Sequence, residues 1–450
     1  MTNLRETIDH YHSLLNPETA RETHEHLTEQ LLRRGLFFGD RALSTVLRPR
    51  FIHPGQYRAL QVAIQAVMPA FQKIHLAAVA EASFRAQFRL NEWEDELIQF
   101  DPGFDTPSPT SRMDTFFDEE EMLWLCEYNA ETPAAIAYTD AMTEVYYGLP
   151  VMREFSKHYE MRPLFGRHLM LHTLIDCYRQ WGGRERPCIA ILDWKEVPTY
   201  SEFVLFHDYF ELQGYDCVIA DPREVTYENG RLMTDGKQIH LIYKRVLISE
   251  LVERGGLDHP VVRAVRDNAV CMVNPFRSKI LHKKASLAVL SDETNAYFFT
   301  ADDLAAIERY IPWTRMLEER HTVYKGQRVD LLPFLVIHKD EFVIKPNDEY
   351  GGKGVVLGWE VDSDEWETVL KTALTEPFIV QKRVPLPKIP YASWVEGRVE
   401  IYDRMIDTNP FIWYGNYVDG CLTRLSTVDL LNVTAGGGSI VPTFVVEPRE

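Results

Sequence analysis

The sequence predicts an α/β protein of mixed α+β character, with a helical N-terminal region and a small Rossmann-like layer in its middle. Three observations carry that expectation. From Gly55 to Leu90 apolar residues recur at helical spacing, among them Leu60, Ile64, Val67, Met68, Phe71 and Ile74. Two apolar runs of strand length, CIAILDW from Cys188 and CVIAD from Cys217, flank a helical stretch from about Ser201 to Gln213. Further on, the strand-like run EFVIKP (341–346) leads into a glycine-rich loop, NDEYGGKG.

The 450 residues call for two or three structural units, since domains usually run to about 100–200 residues. A composition 45% hydrophobic and 26% charged is that of a soluble globular chain. The formal charge of −19 argues against nucleic acid or an anionic membrane as main partner, though not against a local basic pocket for a small phosphate ligand. Six cysteines without a CxxC pair read as buried hydrophobes in a reducing compartment. The first residues lack a basic stretch followed by an apolar one, so no signal peptide is expected. No apolar run approaches the ~18 residues of a membrane span. The expectation is a cytoplasmic protein.

Taken in order, Asn16-Pro17-Glu18 resembles an N-cap, a proline in the first turn and an acid beside the helix N-terminus, with Gly35 as the stop. Pro69 should break or kink the second long helix. DPGFDTPSPTS (101–111) is a linker. Two strands follow, from Arg112 to Phe117 and from Met122 to Tyr128, and residues 140–182 read mostly as helix. RLMTDGKQIHLIYKR looks like a hairpin around Asp235-Gly236. The spacing predicts a helix over 366–374, a strand over 377–384, and a C-terminal hairpin turning at Asp419-Gly420.

Five constellations could carry chemistry. Arg112-x-Asp114 and Glu127-x-Asn129 each place two side chains on one strand face, because side chains alternate with period two. If the strands pair, two carboxylates and an amide oxygen converge, a donor set that suits Mg²⁺, beside an arginine that suits phosphate or carboxylate. Polar faces of ordinary surface strands would look the same. Lys345-Pro346 followed by Gly351, Gly352, Lys353 and Gly354 reads as a phosphate-handling flap, since glycines let backbone N–H groups approach an anion; a plain turn is the alternative. Lys283 and Lys284 open an apolar helical run, either as a solvated basic N-terminus or as phosphate contacts. Gln381 sits on a strand that could frame an adenine ring. Arg424, Asn432 and Gly436-Gly437-Gly438 form a last set that says little alone.

Together these segments resemble the ATP-grasp superfamily. RMDTFF…LWLCEYNAETP is similar to its RxD…ExN metal block, and FVIKPNDEYGGKGV to its lysine and glycine-loop block. The usual order is reversed here, which points to the circularly permuted branch, of the type seen in the synthetase part of glutathionylspermidine synthase. KASLAVL at 284–290 is similar to a Lys-Ala block of that type, and NVTAGGGSIVPTFVV resembles other circularly permuted ATP-grasp proteins. Two features depart from the type: nothing resembles a cysteine amidase domain, and EYGGKG stands where that synthase has a loop with an arginine and an acid.

The resemblance covers roughly residues 110–450 and leaves the helical region at 1–105, read from its spacing, unplaced; it implies a metal-binding part at 106–184, a Rossmann-like pre-ATP-grasp layer at 185–275 and a nucleotide-binding part at 276–450. It implies Mg²⁺ on Asp114, Glu127 and Asn129. Lys284 and Lys345 would meet the ATP phosphates, and Tyr350, Gly351, Gly352, Lys353 and Gly354 would close over the γ-phosphate. Gln381 would lie by adenine, Arg112 at the transferred phosphate, and Arg424 would be a further phosphate contact. The implied activity is an ATP-dependent carboxylate–amine ligase working through an acyl-phosphate, with small-molecule acid and amine substrates of amino-acid, peptide or polyamine class. An ATP-grasp phosphotransferase and a non-catalytic nucleotide-binding regulator are the alternatives.

Overall fold

The computed structural model describes residues 4–117, 122–427 and 438–449. Asn432, Gly436 and Gly437 therefore lie outside the described residues.

The helix Pro17–Arg33 starts as its sequence dictates: the Asn16 side chain accepts the N–H groups of Glu18 and Thr19. It ends at Gly35, whose φ is +63°, with Leu36 N–H bonded back to the Leu31 carbonyl. The helix Pro54–Ala80 is capped by a reciprocal His53/Gln56 pair and runs without interruption through Pro69. Of the predicted break or kink, the break does not occur. Pro69 is exposed, while Leu60, Ala63, Ile64, Val67, Phe71 and Ile74 are fully buried, so packing holds the helix where one hydrogen bond is lost. By length and composition alone this helix could cross a membrane, which corrects the expectation that no apolar stretch is long enough; half of its most apolar window is buried inside the protein.

Among the described residues, the middle of the chain forms a four-stranded parallel sheet in the order Cys271–Val273, Leu241–Lys244, Ile189–Leu192, Cys217–Ala220. Its two central strands are buried at every position, as expected of a parallel sheet covered on both faces. This is the predicted Rossmann-like layer. The hairpin at Asp235-Gly236 forms between Arg231–Thr234 and Lys237–Ile239, and the following strand, Leu241–Lys244, leaves it for the parallel sheet.

A second, antiparallel sheet has the order Thr314–Met316, Phe378–Lys382, Phe342–Pro346, Val356–Leu357. A third, larger one runs Lys388–Val395, Arg398–Ile406, Tyr417–Ser426, Asn409–Trp413, Thr110–Phe117, Leu123–Asn129. Strands from near residue 110 are thus hydrogen-bonded into a sheet whose other members come from the last part of the chain. Asn274 staples this sheet to the parallel layer: its side chain accepts from Thr110 N–H and donates to the carbonyls of Ala130 and Glu131.

Residues 140–182 are mostly helical, as expected, and also contain a strand, Tyr159–Pro163, which pairs with Thr443–Pro448 beside Arg50–Ile52. The C-terminal hairpin turns at Tyr414-Gly415, where both residues have positive φ, and not at Asp419-Gly420. Those two residues instead fall where the register shifts between Pro410↔Cys421 and Ile412↔Val418, and Gly420, at φ +80°, fits such a bulge.

Candidate functional site

The strands Thr110–Phe117 and Leu123–Asn129 pair with Asp114 opposite Glu127 and Arg112 opposite Asn129. All four side chains therefore share one face. Asp114 is the hub. Its carboxylate accepts from Arg112 Nε at 2.7 Å, Asn129 Nδ2 at 2.9 Å and an Arg424 Nη at 2.6 Å. Burial alone would raise its pKa, but Arg112 and Arg424 outweigh it and hold the carboxyl down at about 2.

Lys284 and Lys345 reach the same face from the opposite wall. Lys284 Nζ lies 3.0 Å from a Glu127 carboxylate oxygen and 2.6 Å from the Glu349 carbonyl. Burial opposes ionisation of Glu127, and Lys284 nevertheless keeps its pKa below the ordinary value. Lys345 Nζ donates to Gln381 Oε1 at 2.7 Å and to the Cys126 carbonyl at 3.4 Å. It has no carboxylate within ion-pair distance among the described residues, and burial, with Lys284 nearby, lowers its pKa despite the charges of Glu127 and Asp114. A half-buried ammonium whose hydrogen bonds go to neutral oxygens is a ready partner for an anion.

One cleft is lined by Arg112, Asp114, Glu127, Asn129, Lys284, Lys345, Gln381 and Arg424, together with Tyr350, Gly351, Gly352 and Lys353 of the glycine loop. Gly351 and Gly352 both have positive φ, so the loop uses the freedom that its glycines give. Lys353 is exposed and pairs with Glu349 at 3.0 Å. Gly354 does not line the cleft; a Cβ there would come within 2.7 Å of the Pro346 ring. Gln381 is buried with its amide spent on Lys345 and on Thr314 Oγ1. In this structure it orients the lysine.

The two lysines at 283 and 284 part company. Both are buried, so they are not a solvated helix start. Lys284 points into the cleft, whereas Lys283 Nζ turns away to Glu94 at 2.8 Å and Asp348 at 3.2 Å.

Sequence reasoning missed several residues. Asp407, buried, accepts Arg424 Nε at 2.7 Å and its backbone N–H at 2.8 Å, which aims that guanidinium at Asp114. Nothing in the local pattern around Asp407 marks it. Val343, Leu357, Val384, Leu386 and Trp359 form an apolar wall, and Arg383 stacks on Trp359 at 3.9 Å. Period two could have found Val343 and Arg383, since they share strand faces with Lys345 and Gln381.

The donor chemistry fits the implied groups: two carboxylates and an amide oxygen for Mg²⁺, and buried cations beside an apolar wall for a nucleotide.

Comparison with known proteins bears on the fold and the family. A solved glutathione synthetase-like effector from Globodera pallida superposes with a TM-score of 0.61 at 12% identity, covering 96% of this chain and 98% of that one; it is alike in fold. A protein of Frankia casuarinae, named provisionally as glutamate–cysteine ligase 2-2, is 24% identical over 338 residues, which is 70% of this chain and 36% of that relative. The family model for circularly permuted ATP-grasp type 2 proteins matches residues 85–426. The chain belongs to the circularly permuted ATP-grasp type 2 family.

Proposed function

We propose that the chain is an ATP-dependent ligase that joins a carboxylate to an amine through an acyl-phosphate, releasing ADP and phosphate. One observation supports the reading most: the acidic strand pair and the two lysines face each other across one cleft, joined by the 3.0 Å contact between Lys284 and Glu127. The provisional ligase name of the Frankia relative is consistent with it. The acid and amine belong to the amino-acid, peptide or polyamine class.

A carboxylate is a poor electrophile, and phosphorylation gives it a good leaving group. The protein then has mainly to position the reactants and neutralise charge. Lys284 and Lys345 meet the ATP phosphates, and Gln381 holds Lys345 in place. The wall of Val343, Leu357, Val384 and Leu386 takes the adenine face. Arg112 and Arg424, oriented by Asp114 and Asp407, donate to the oxygens of the transferred phosphoryl group. The loop 349–354 with Tyr350 and Lys353 closes over the γ-phosphate and keeps water from the intermediate. Asp114, Glu127 and the Asn129 amide oxygen would hold Mg²⁺, which would supply charge neutralisation at the phosphates. No side-chain nucleophile is needed: Cys126 lines the cleft, but burial pushes its thiol up to about 12.

The test is phosphate release with a panel of amino acids, peptides and polyamines, with mass spectrometry of the products. The expected product is one new amide per ATP cleaved. Tight Mg·ATP binding with no turnover on any acid–amine pair would count against the proposal, and a stable phosphorylated product would favour phosphotransfer instead.

A further inference from the structure

Beneath the cleft lies a buried ionic cluster that the proposed chemistry does not use. Lys279 Nζ lies 2.7 Å from Asp348, 3.3 Å from Glu131 and 3.8 Å from Glu94. Lys283 bridges Glu94 and Asp348, and Lys244 meets Glu131 at 3.3 Å. Glu94, Glu131, Lys244, Lys279 and Lys283 are all buried, and Asp348 is partly so. Three carboxylates thus balance three ammonium groups. The neighbouring His282 is held neutral, its pKa lowered by burial to about 4.

Charge is costly to bury, so such a cluster stays together only while its partners are in place. Its position gives it a use. Asn347 and Asp348 are the two residues that join the Lys345 strand to the glycine loop. Asn347 donates to the Phe88 carbonyl at 3.0 Å, its side-chain oxygen accepts Ala285 N–H at 2.8 Å, and its carbonyl accepts Lys284 N–H at 3.0 Å. Asp348 is gripped by Lys279 and Lys283, and Lys283 by Glu94. The root of the loop and the backbone of Lys284 are therefore tied to one another and to the segment holding Phe88 and Glu94. The family match also begins at residue 85.

We propose that Glu94, acting through Lys283 and Asp348, is a positioning residue for the nucleotide site, so that the N-terminal helical region sets where the glycine loop is rooted. The inference rests on the ATP-binding reading of the cleft and gives the N-terminal region a part in it. A merely structural role predicts that restoring charge balance restores everything. A positioning role predicts that balance restores stability alone.

The experiment compares wild type, Glu94→Gln, Lys283→Met and the double variant in the full chain. Three quantities are read: thermal stability, equilibrium binding of Mg·ATP, and amide hydrogen exchange over residues 348–354. Each single variant is expected to lose stability, because it leaves one buried charge unmatched. The double variant regains it, yet binds Mg·ATP on the order of 10–100-fold more weakly, as loss of supporting partners does elsewhere, and its loop exchanges faster. A double variant with wild-type stability, binding and exchange overturns the inference. Should wild type itself not bind Mg·ATP, the functional proposal falls, and the exchange data on the free proteins decide: faster exchange in the double variant upholds the anchor, and unchanged exchange overturns it.

Discussion

Asp114→Asn is the sharpest perturbation, because one isosteric change removes charge from the hub of the site. In the folded protein the Asp114 carboxyl sits at about 2, against ~3.9 for an unperturbed aspartate. At ~1.4 kcal/mol per pK unit, the ionised form stabilises the native state by about 2–3 kcal/mol at neutral pH. The sign follows from the folded value being the lower one. The stabilisation is fully present above the unfolded value and is lost as pH falls from about 4 towards 2. Urea denaturation followed by tryptophan fluorescence should therefore show Asp114→Asn less stable by about 2–3 kcal/mol at pH 7, with the gap narrowing below about pH 4. Binding of Mg·ATP should weaken in the same variant, measured by calorimetry. Equal stability at pH 7, or a gap that widens on acidification, would refute the reasoning, since Arg112 and Arg424 would then not depend on this carboxylate.

Three further outcomes are expected. Lys345→Met removes an ammonium that burial already disfavours, so stability should hold or rise by up to about 1 kcal/mol, while calorimetry should show Mg·ATP affinity falling on the order of 10²-fold. Lys353→Ala, on an exposed side chain, should leave stability within about 0.5 kcal/mol and yet slow ATP turnover, a split that separates loop closure from folding. Pro69→Ala, on the exposed side of a helix otherwise locked in place, should stabilise the protein by about 1–3 kcal/mol in a urea melt, with ATP binding unaltered.

The parts of the fold that were legible are those written in local periodicity. Ile189–Leu192 and Cys217–Ala220 are short apolar strands bracketing a helix, and Phe342–Pro346 is a strand that stops at its own proline. The site was legible for the same reason: Arg112-x-Asp114 and Glu127-x-Asn129 carry their shared face in their spacing. What stayed hidden depends on distant partners. Tyr159–Pro163 alternates weakly and becomes a strand only by pairing with Thr443–Pro448. Asp407 is one acid among many until Arg424 folds onto it. Pro69 reads as a breaker because the local rule cannot see the packing that overrides it. The separation of Lys283 from Lys284 was likewise invisible, since it depends on Glu94 and Asp348, which lie far from the lysines in sequence.

The central claim is that strands near residue 110 and lysines from the last 170 residues grip one nucleotide between them. An experimental structure of the protein with Mg²⁺ and a non-hydrolysable ATP analogue tests it most directly. The expected result is a triphosphate against Lys284 and Lys345, with the cation on Asp114 and Glu127. A nucleotide bound elsewhere, with those four side chains still paired only to one another, would contradict it.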